Sequence, residues 1–226
     1  MSSAALYRLS GLALVLGGVI ATVFNIVNTV AFPSNSANID PRVVTAAPWQ
    51  IVNLIIFTGG VLVLPGLPGA YLRQAKQTGT PGLIGFIRMF ISWILIGLFT
   101  NIVHLLVDPT LATVAPNQTQ GNDSAVQLVL FGAALVIGTF GPLLFSIATL
   151  RARVLPRMAA IMLLVALVCS LVIIAPLPSL LNSILGTAWF VLSNLALAWF
   201  GFALLTEYAH MPAQATVASS DVGVPA

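Results

Sequence analysis

The chain has 226 residues, of which 59% are hydrophobic and only 6% charged, whereas an ordinary soluble domain carries roughly a quarter charged residues. Too little polar surface is available to wrap such a chain in water. The expected solvent is therefore lipid, and the expected fold class is all-α, a polytopic membrane protein built as a bundle of about six transmembrane helices. The net charge of +3 comes from eight Lys and Arg against five Asp and Glu, with no basic run of four, which argues against a nucleic-acid partner.

A spanning helix needs roughly 20 mainly apolar residues, and six segments meet that requirement in chain order. The first, Leu9 to Phe32, has a charged flank at Arg8 and is too long for the apolar region of a cleavable signal, so it reads as a retained helix. A stretch rich in Ser, Asn and Pro leads to the second, Pro48 to Tyr71. Within it, Pro65 and Pro68, with Gly66 and Gly69, interrupt the apolar pattern, and the helix is expected to end near Leu64. These prolines form a candidate hinge of the transporter kind; the alternative is a fixed kink satisfied by neighbouring helices. Arg73 to Gly82 reads as a loop before the third helix, Leu83 to Val107. Asp108-Pro109 opens the next connection. The fourth, fifth and sixth segments are Ala125 to Leu150, Pro156 to Ala175 and Leu180 to Tyr208. From Met211 the tail is small and polar, and 209–226 is expected to be disordered in the cytoplasm. No ten-residue alternation of a barrel strand is present, and backbone amides in hydrocarbon must be satisfied internally, which leaves helices.

Lys and Arg in short loops favour the cytoplasmic side. Arg8, Arg73, Lys76, Arg88, Arg151, Arg153 and Arg157 fall on the side of the N-terminus and Arg42 falls opposite, which predicts a multi-pass protein of the cell (inner or plasma) membrane with both termini cytoplasmic. Tyr7, Tyr71 and Tyr208 at that side, and Trp49 at the other, read as interfacial anchors. The small residues Gly17, Gly18, Gly59, Gly60, Ala134, Gly138, Gly141 and Gly201 predict close helix approach.

The amide and imidazole side chains gather toward the outer half: Asn25 and Asn28 on helix one, Gln50 and Asn53 on helix two, Asn101 and His104 on helix three, Gln127 on helix four and Asn182 on helix six. Asn194 alone sits near mid-membrane, and the inner half reads as dry. Asn25 and Asn28, like Asn101 and His104, are spaced to share a helix face, and Asp108 follows His104 by one turn and can fix its tautomer. Asn25, Asn28, Asn53, Asn101, His104 and Asp108 are the candidate ligand-binding residues. The competing expectation is that interfacial amides simply join helices by hydrogen bonds worth roughly 1 kcal/mol each.

No catalytic residue and no metal site is expected. His-Glu-x-x-His, the Gly-x-Ser-x-Gly elbow and paired membrane aspartates are all missing. His104 with Asp108 offers at most two ligands, short of the three or four that zinc takes. The other histidine, His210, falls beyond the inner end of helix six, roughly 30 Å away at 1.5 Å per residue. A single Cys169 rules out a cysteine framework, and no cofactor is expected. Asn117-Gln118-Thr119 and Asn122-Asp123-Ser124 match glycosylation sequons that would matter only in a eukaryotic secretory pathway.

Leu150-Arg151-Ala152-Arg153-Val154-Leu155-Pro156-Arg157, which joins two apolar helices and leads to a Pro-x-Pro break, resembles an uncharacterised bacterial family of six-helix integral membrane proteins, and Tyr7-Arg8-Leu9-Ser10-Gly11 is similar to that family's start. The resemblance covers mainly residues 125–208 and implies a bacterial inner-membrane protein without assigning any site residue. The functional expectation is a non-enzymatic membrane protein that binds a small apolar or amphiphilic ligand, or a partner membrane protein, through the outer polar cluster. The alternatives are a small permease and a membrane haem or quinone oxidoreductase subunit.

Overall fold

The structure, a computed structural model, describes residues 3–32, 40–114, 125–173 and 178–209. They are almost entirely helical, with no strand among the described residues. Helix α1 spans Ser3–Ala31. A single short turn of helix, α2, spans Pro41–Val44 and is capped by Asp40, whose Oδ1 accepts from the Arg42 N–H at 2.9 Å. The helical run Ala47–Val114 follows and is divided at Gly79, which adopts φ 55° and ψ −153°. Its two arms are α3 (47–78) and α4 (80–114). Helices α5 (Ala125–Ala152), α6 (Arg157–Val172) and α7 (Ser179–Ala209) complete the chain.

Three helical runs, Ala4–Ala31, Ala47–Val114 and Leu180–Glu207, are long and apolar enough to cross a membrane. Their surfaces agree with a lipid environment. On α1 the large side chains Leu9, Leu12, Leu16, Val19 and Val23 are exposed while Leu14, Gly17, Gly18 and Ala21 are buried. The interior face thus holds the small residues and the outer face the bulky ones, because packing rather than water exclusion drives association in lipid.

The connection expected over Arg73–Gly82 is absent. Helix α3 continues to Thr78 and α4 begins at once, since Gly79 alone supplies the left-handed backbone that reverses the chain. Pro81 falls in the first turn of α4, where its missing N–H costs nothing. The reversal folds the arms into an antiparallel hairpin, in which Tyr71 stacks on Phe86 at 4.6 Å and the Trp93 indole N–H donates to the Gly60 carbonyl at 3.1 Å.

The break expected near Leu64 is also absent. Pro65 and Pro68 lie inside a helix whose only non-helical backbone is at Gly79. The surrounding glycines seat α1: a Cβ at Gly66 would fall 2.5 Å from Leu14 Cγ, and one at Gly69 would fall 2.3 Å from Ser10 Cβ. Ser10 Oγ donates to the Pro65 carbonyl at 3.4 Å. The Pro-Gly-Leu-Pro-Gly stretch is a packing seam held by α1.

Contacts pass from α1 to α3, through the hairpin to α4, on to α5, α6 and α7, and from α7 back to α1. The elements form a closed ring. Toward its Gly79 end the interior is filled by Leu14, Val63, Leu67, Phe145, Phe200 and Leu204, with Phe145 and Phe200 edge to face at 6.1 Å. That end is not dry, as the sequence led one to expect. Gln74, Ser146 and Thr149 are all fully buried there, and Gln74 Nε2 donates to Thr149 Oγ1 at 2.9 Å. Arg73 and Glu207 pair through two hydrogen bonds at its rim, joining α3 to α7.

The opposite, His104 end is covered by Val44 of α2, Trp49 and Ala112, with Phe32 and Val43 against them. Trp49 is not an interfacial anchor. It is buried beneath Phe32, edge to face at 5.4 Å, and stands edge to face with the His104 ring at 6.2 Å. Tyr7 and Tyr71 are partly buried and pack against the main core. The side chain of Tyr208, the tail from His210 and both sequons lie outside the described residues.

Candidate functional site

Inside the ring, between the apolar core and the Trp49 cap, lies a cavity of about 280 Å³. Five of the six candidate ligand-binding residues line it: Asn25 and Asn28 from α1, Asn53 from α3, and Asn101 and His104 from α4. The sixth, Asp108, does not, but its Oδ2 is 2.7 Å from His104 Nδ1. The carboxylate accepts from Nδ1–H, which holds the ring in place.

The wall contributed by α4 departs from α-helix. Trp93–Phe99 and Val103–Val107 are both π-helical, a form that occupies well under 1% of residues in globular proteins and is frequent at functional sites. The wider turn brings Trp93, Gly97, Asn101 and His104 to the same cavity. At Gly97 a Cβ would press on the Trp93 indole at 3.1 Å, so the ring would have to give by a few tenths of an ångström.

The asparagines share a hydrogen-bonding habit. Asn25 Nδ2 donates to the Ala21 carbonyl at 2.7 Å, Asn53 Nδ2 to Trp49 at 3.0 Å and Asn194 Nδ2 to Phe190 at 2.8 Å. Asn101 Nδ2 donates in the same way to Gly97. Each amide thus spends an N–H on the carbonyl one turn earlier in its own helix. Oδ1 of Asn28 and Oδ1 of Asn194 are buried without a partner. Among the described residues no Lys, Arg, Asp or Glu lines the cavity. Its floor, toward the Gly79 end, is apolar: Met89, Pro142, Leu163 and Leu197.

Several lining residues were not singled out by the sequence. Asn194 stood apart at mid-membrane, yet it reaches the cavity from α7. Thr29 and Thr187 place their hydroxyl oxygens 2.9 Å apart, tying α1 to α7 at the polar end. Threonines gave no signal because a hydroxyl in a spanning helix ordinarily bonds its own backbone. Other polar residues of the outer set lie elsewhere. Gln50 is exposed and borders a shallow groove with Leu54, Phe57, Ile102 and Leu106. Asn182 does not line the cavity, and the side chain of Gln127 lies outside the described residues.

His104 and Asp108 form a pair, but no hydroxyl is hydrogen-bonded to His104 Nε2 among the described residues. No group of three or more His, Cys, Asp or Glu that could hold a metal occurs among them either. Comparison of the chain with protein-family models, with curated proteins and with solved structures finds no match.

Proposed function

We propose that this chain crosses a membrane six times, with both termini on the cytoplasmic side, and that it binds a small amphiphilic ligand in the cavity between Asn28 and Asn194 without transforming it. The observation that carries this reading is the convergence of polar residues from α1, α3, α4 and α7 on a single uncharged cavity, with buried acceptor oxygens left unpaired. Amides that served only to join helices would find their partners across helix contacts. These donate to their own helices and turn toward a shared space.

A binding role is favoured over permeation by the closed Gly79 end, where Leu14, Leu67, Phe145 and Phe200 are fully buried, and by the seating of Pro65–Gly69 against α1. The basic residues Arg73, Arg151, Arg153 and Arg157 at the Gly79 end support a cytoplasmic placement of that end. The resemblance to a bacterial six-helix family fits the same topology.

Gly186 offers the test. It lines the cavity, and a Cβ added there meets nothing within 4 Å, so Gly186→Phe should occupy the space without displacing backbone. Native mass spectrometry of protein released from nanodiscs should find a small molecule retained by the parent chain and missing from Gly186→Phe. Identical retained species from both would refute the assignment.

A further inference from the structure

We infer that the ligand is a slender neutral molecule that donates a hydrogen bond, from a hydroxyl or N–H group, to Asn194 Oδ1 at the deep end of the cavity, with an aromatic or apolar body beside Trp93, Trp189 and Phe190. This inference rests on the cavity being a ligand site and adds the chemistry that the ligand must carry.

The sense of the Asn194 amide decides the matter. Only the NH2 end can face the Phe190 carbonyl, which it meets at 2.8 Å, so the other end must be the carbonyl oxygen. That oxygen has no partner, and the residue is only 2% exposed. A buried acceptor left unpaired is destabilising, and a ligand donor offsets that cost. Asn25, Asn53 and Asn101 each spend one N–H in the same manner and keep a second, so Asn194 Oδ1 is set apart by being both deeply buried and unpaired.

Charge and depth argue for neutrality. Asn194 lies about two turns along α7 from Thr187, roughly 10 Å below the Thr29–Thr187 contact at 1.5 Å per residue. Among the described residues no carboxylate lines the cavity at that depth, and Asp108 is engaged by His104 at the opposite end. An ammonium group placed beside Asn194 would have no counter-charge among them, and desolvating an ion without one is strongly unfavourable. A neutral donor pays no such penalty. The volume of about 280 Å³ is near the lower limit of usual ligand pockets, roughly 300–1,000 Å³, which restricts the body to one fused-ring or short-chain fragment. Trp189 and Phe190 lie with ring centroids 4.7 Å apart on this wall, and the apolar floor of Met89, Leu163 and Leu197 closes the end.

Three probes of one size separate these chemistries: 1-naphthol, a neutral donor; 1-methoxynaphthalene, which lacks the donor; and 1-naphthylmethylamine, a cation at neutral pH. Binding is measured by calorimetry with the full chain in nanodiscs, with empty nanodiscs as the partition reference. The naphthol should bind about tenfold more tightly than either of the others, the size of one net hydrogen bond. In Asn194→Leu that preference should vanish while 1-methoxynaphthalene binds as before. Equal binding of naphthol and its ether to the parent chain would overturn the donor inference and leave the ligand site standing. Tightest binding of the amine would overturn the neutral class. Failure of all three to bind would overturn both this inference and the ligand site on which it rests. The comparison on the parent chain decides the matter even if Asn194→Leu does not fold.

Discussion

Alanine at Gly18 and at Gly186 should shift stability in opposite directions, although both positions lie inside long helices. In either helix the change gains up to about 1 kcal/mol of intrinsic propensity. At Gly186 a Cβ meets nothing within 4 Å, so the gain of about 0.5–1 kcal/mol is kept. At Gly18 the Cβ would fall 2.5 Å from the Asn194 backbone oxygen and 2.9 Å from the Ala198 Cβ. Neither obstacle is the free end of a flexible side chain, so α1 and α7 must separate. Overpacking of that kind costs about 1–3 kcal/mol, which leaves Gly18→Ala neutral to destabilising by about 2 kcal/mol. The two variants should therefore differ by roughly 1–3 kcal/mol. For a chain of this size that corresponds to several degrees in Tm, at about 2–4 °C per kcal/mol. Thermal unfolding of both in one detergent is the assay. Equal shifts, or a more stable Gly18→Ala, would refute both the close α1–α7 contact and the open space at Gly186.

Other consequences can be measured separately. Thr149→Val strands Gln74 Nε2 in the core and should cost about 1–2 kcal/mol, while adding Gln74→Leu should restore part of the loss; strictly additive effects in an unfolding cycle would contradict the buried pair. Cysteines at Thr29 and Thr187, in a chain with Cys169→Ala, should cross-link rapidly under mild oxidation because the native hydroxyl oxygens are 2.9 Å apart; no cross-link would show that α1 and α7 do not meet there. A cysteine at Arg42 should react with an impermeant thiol reagent from the outside of cells and a cysteine at Arg153 only after lysis. The reverse pattern would invert the proposed orientation.

How much was legible in the sequence differs from element to element. The helices were readable because hydropathy acts over whole segments, and the candidate residues were readable because amides are rare in such segments. Their convergence was not, since it depends on which faces of α1 meet α3 and α7, and those are set by Gly17 against α3 and by Gly18 and Gly201 at the α1–α7 contact, each packing against backbone atoms distant in sequence. The reading of Pro65 and Pro68 went astray for the same reason: a proline's missing N–H is local, but Ser10 and Leu14 of α1, which seat the stretch, are not. Gln74 was assigned to a loop because Gly79, Pro81 and Gly82 cluster near it, whereas one left-handed glycine suffices for the reversal. The π-helical turns of α4 left no mark at all.

The claim on which the rest depends is that the asparagines surround a space occupied by a ligand. A structure of the full chain purified directly into nanodiscs would test it. Compact density of non-protein origin between Asn28 and Asn194, within hydrogen-bond reach of Asn194 Oδ1 and bounded by Trp93 and Phe190, is the expected result. Helices closed on one another there, with Asn194 Oδ1 bonded to a neighbouring helix and no space larger than a water molecule, would contradict it.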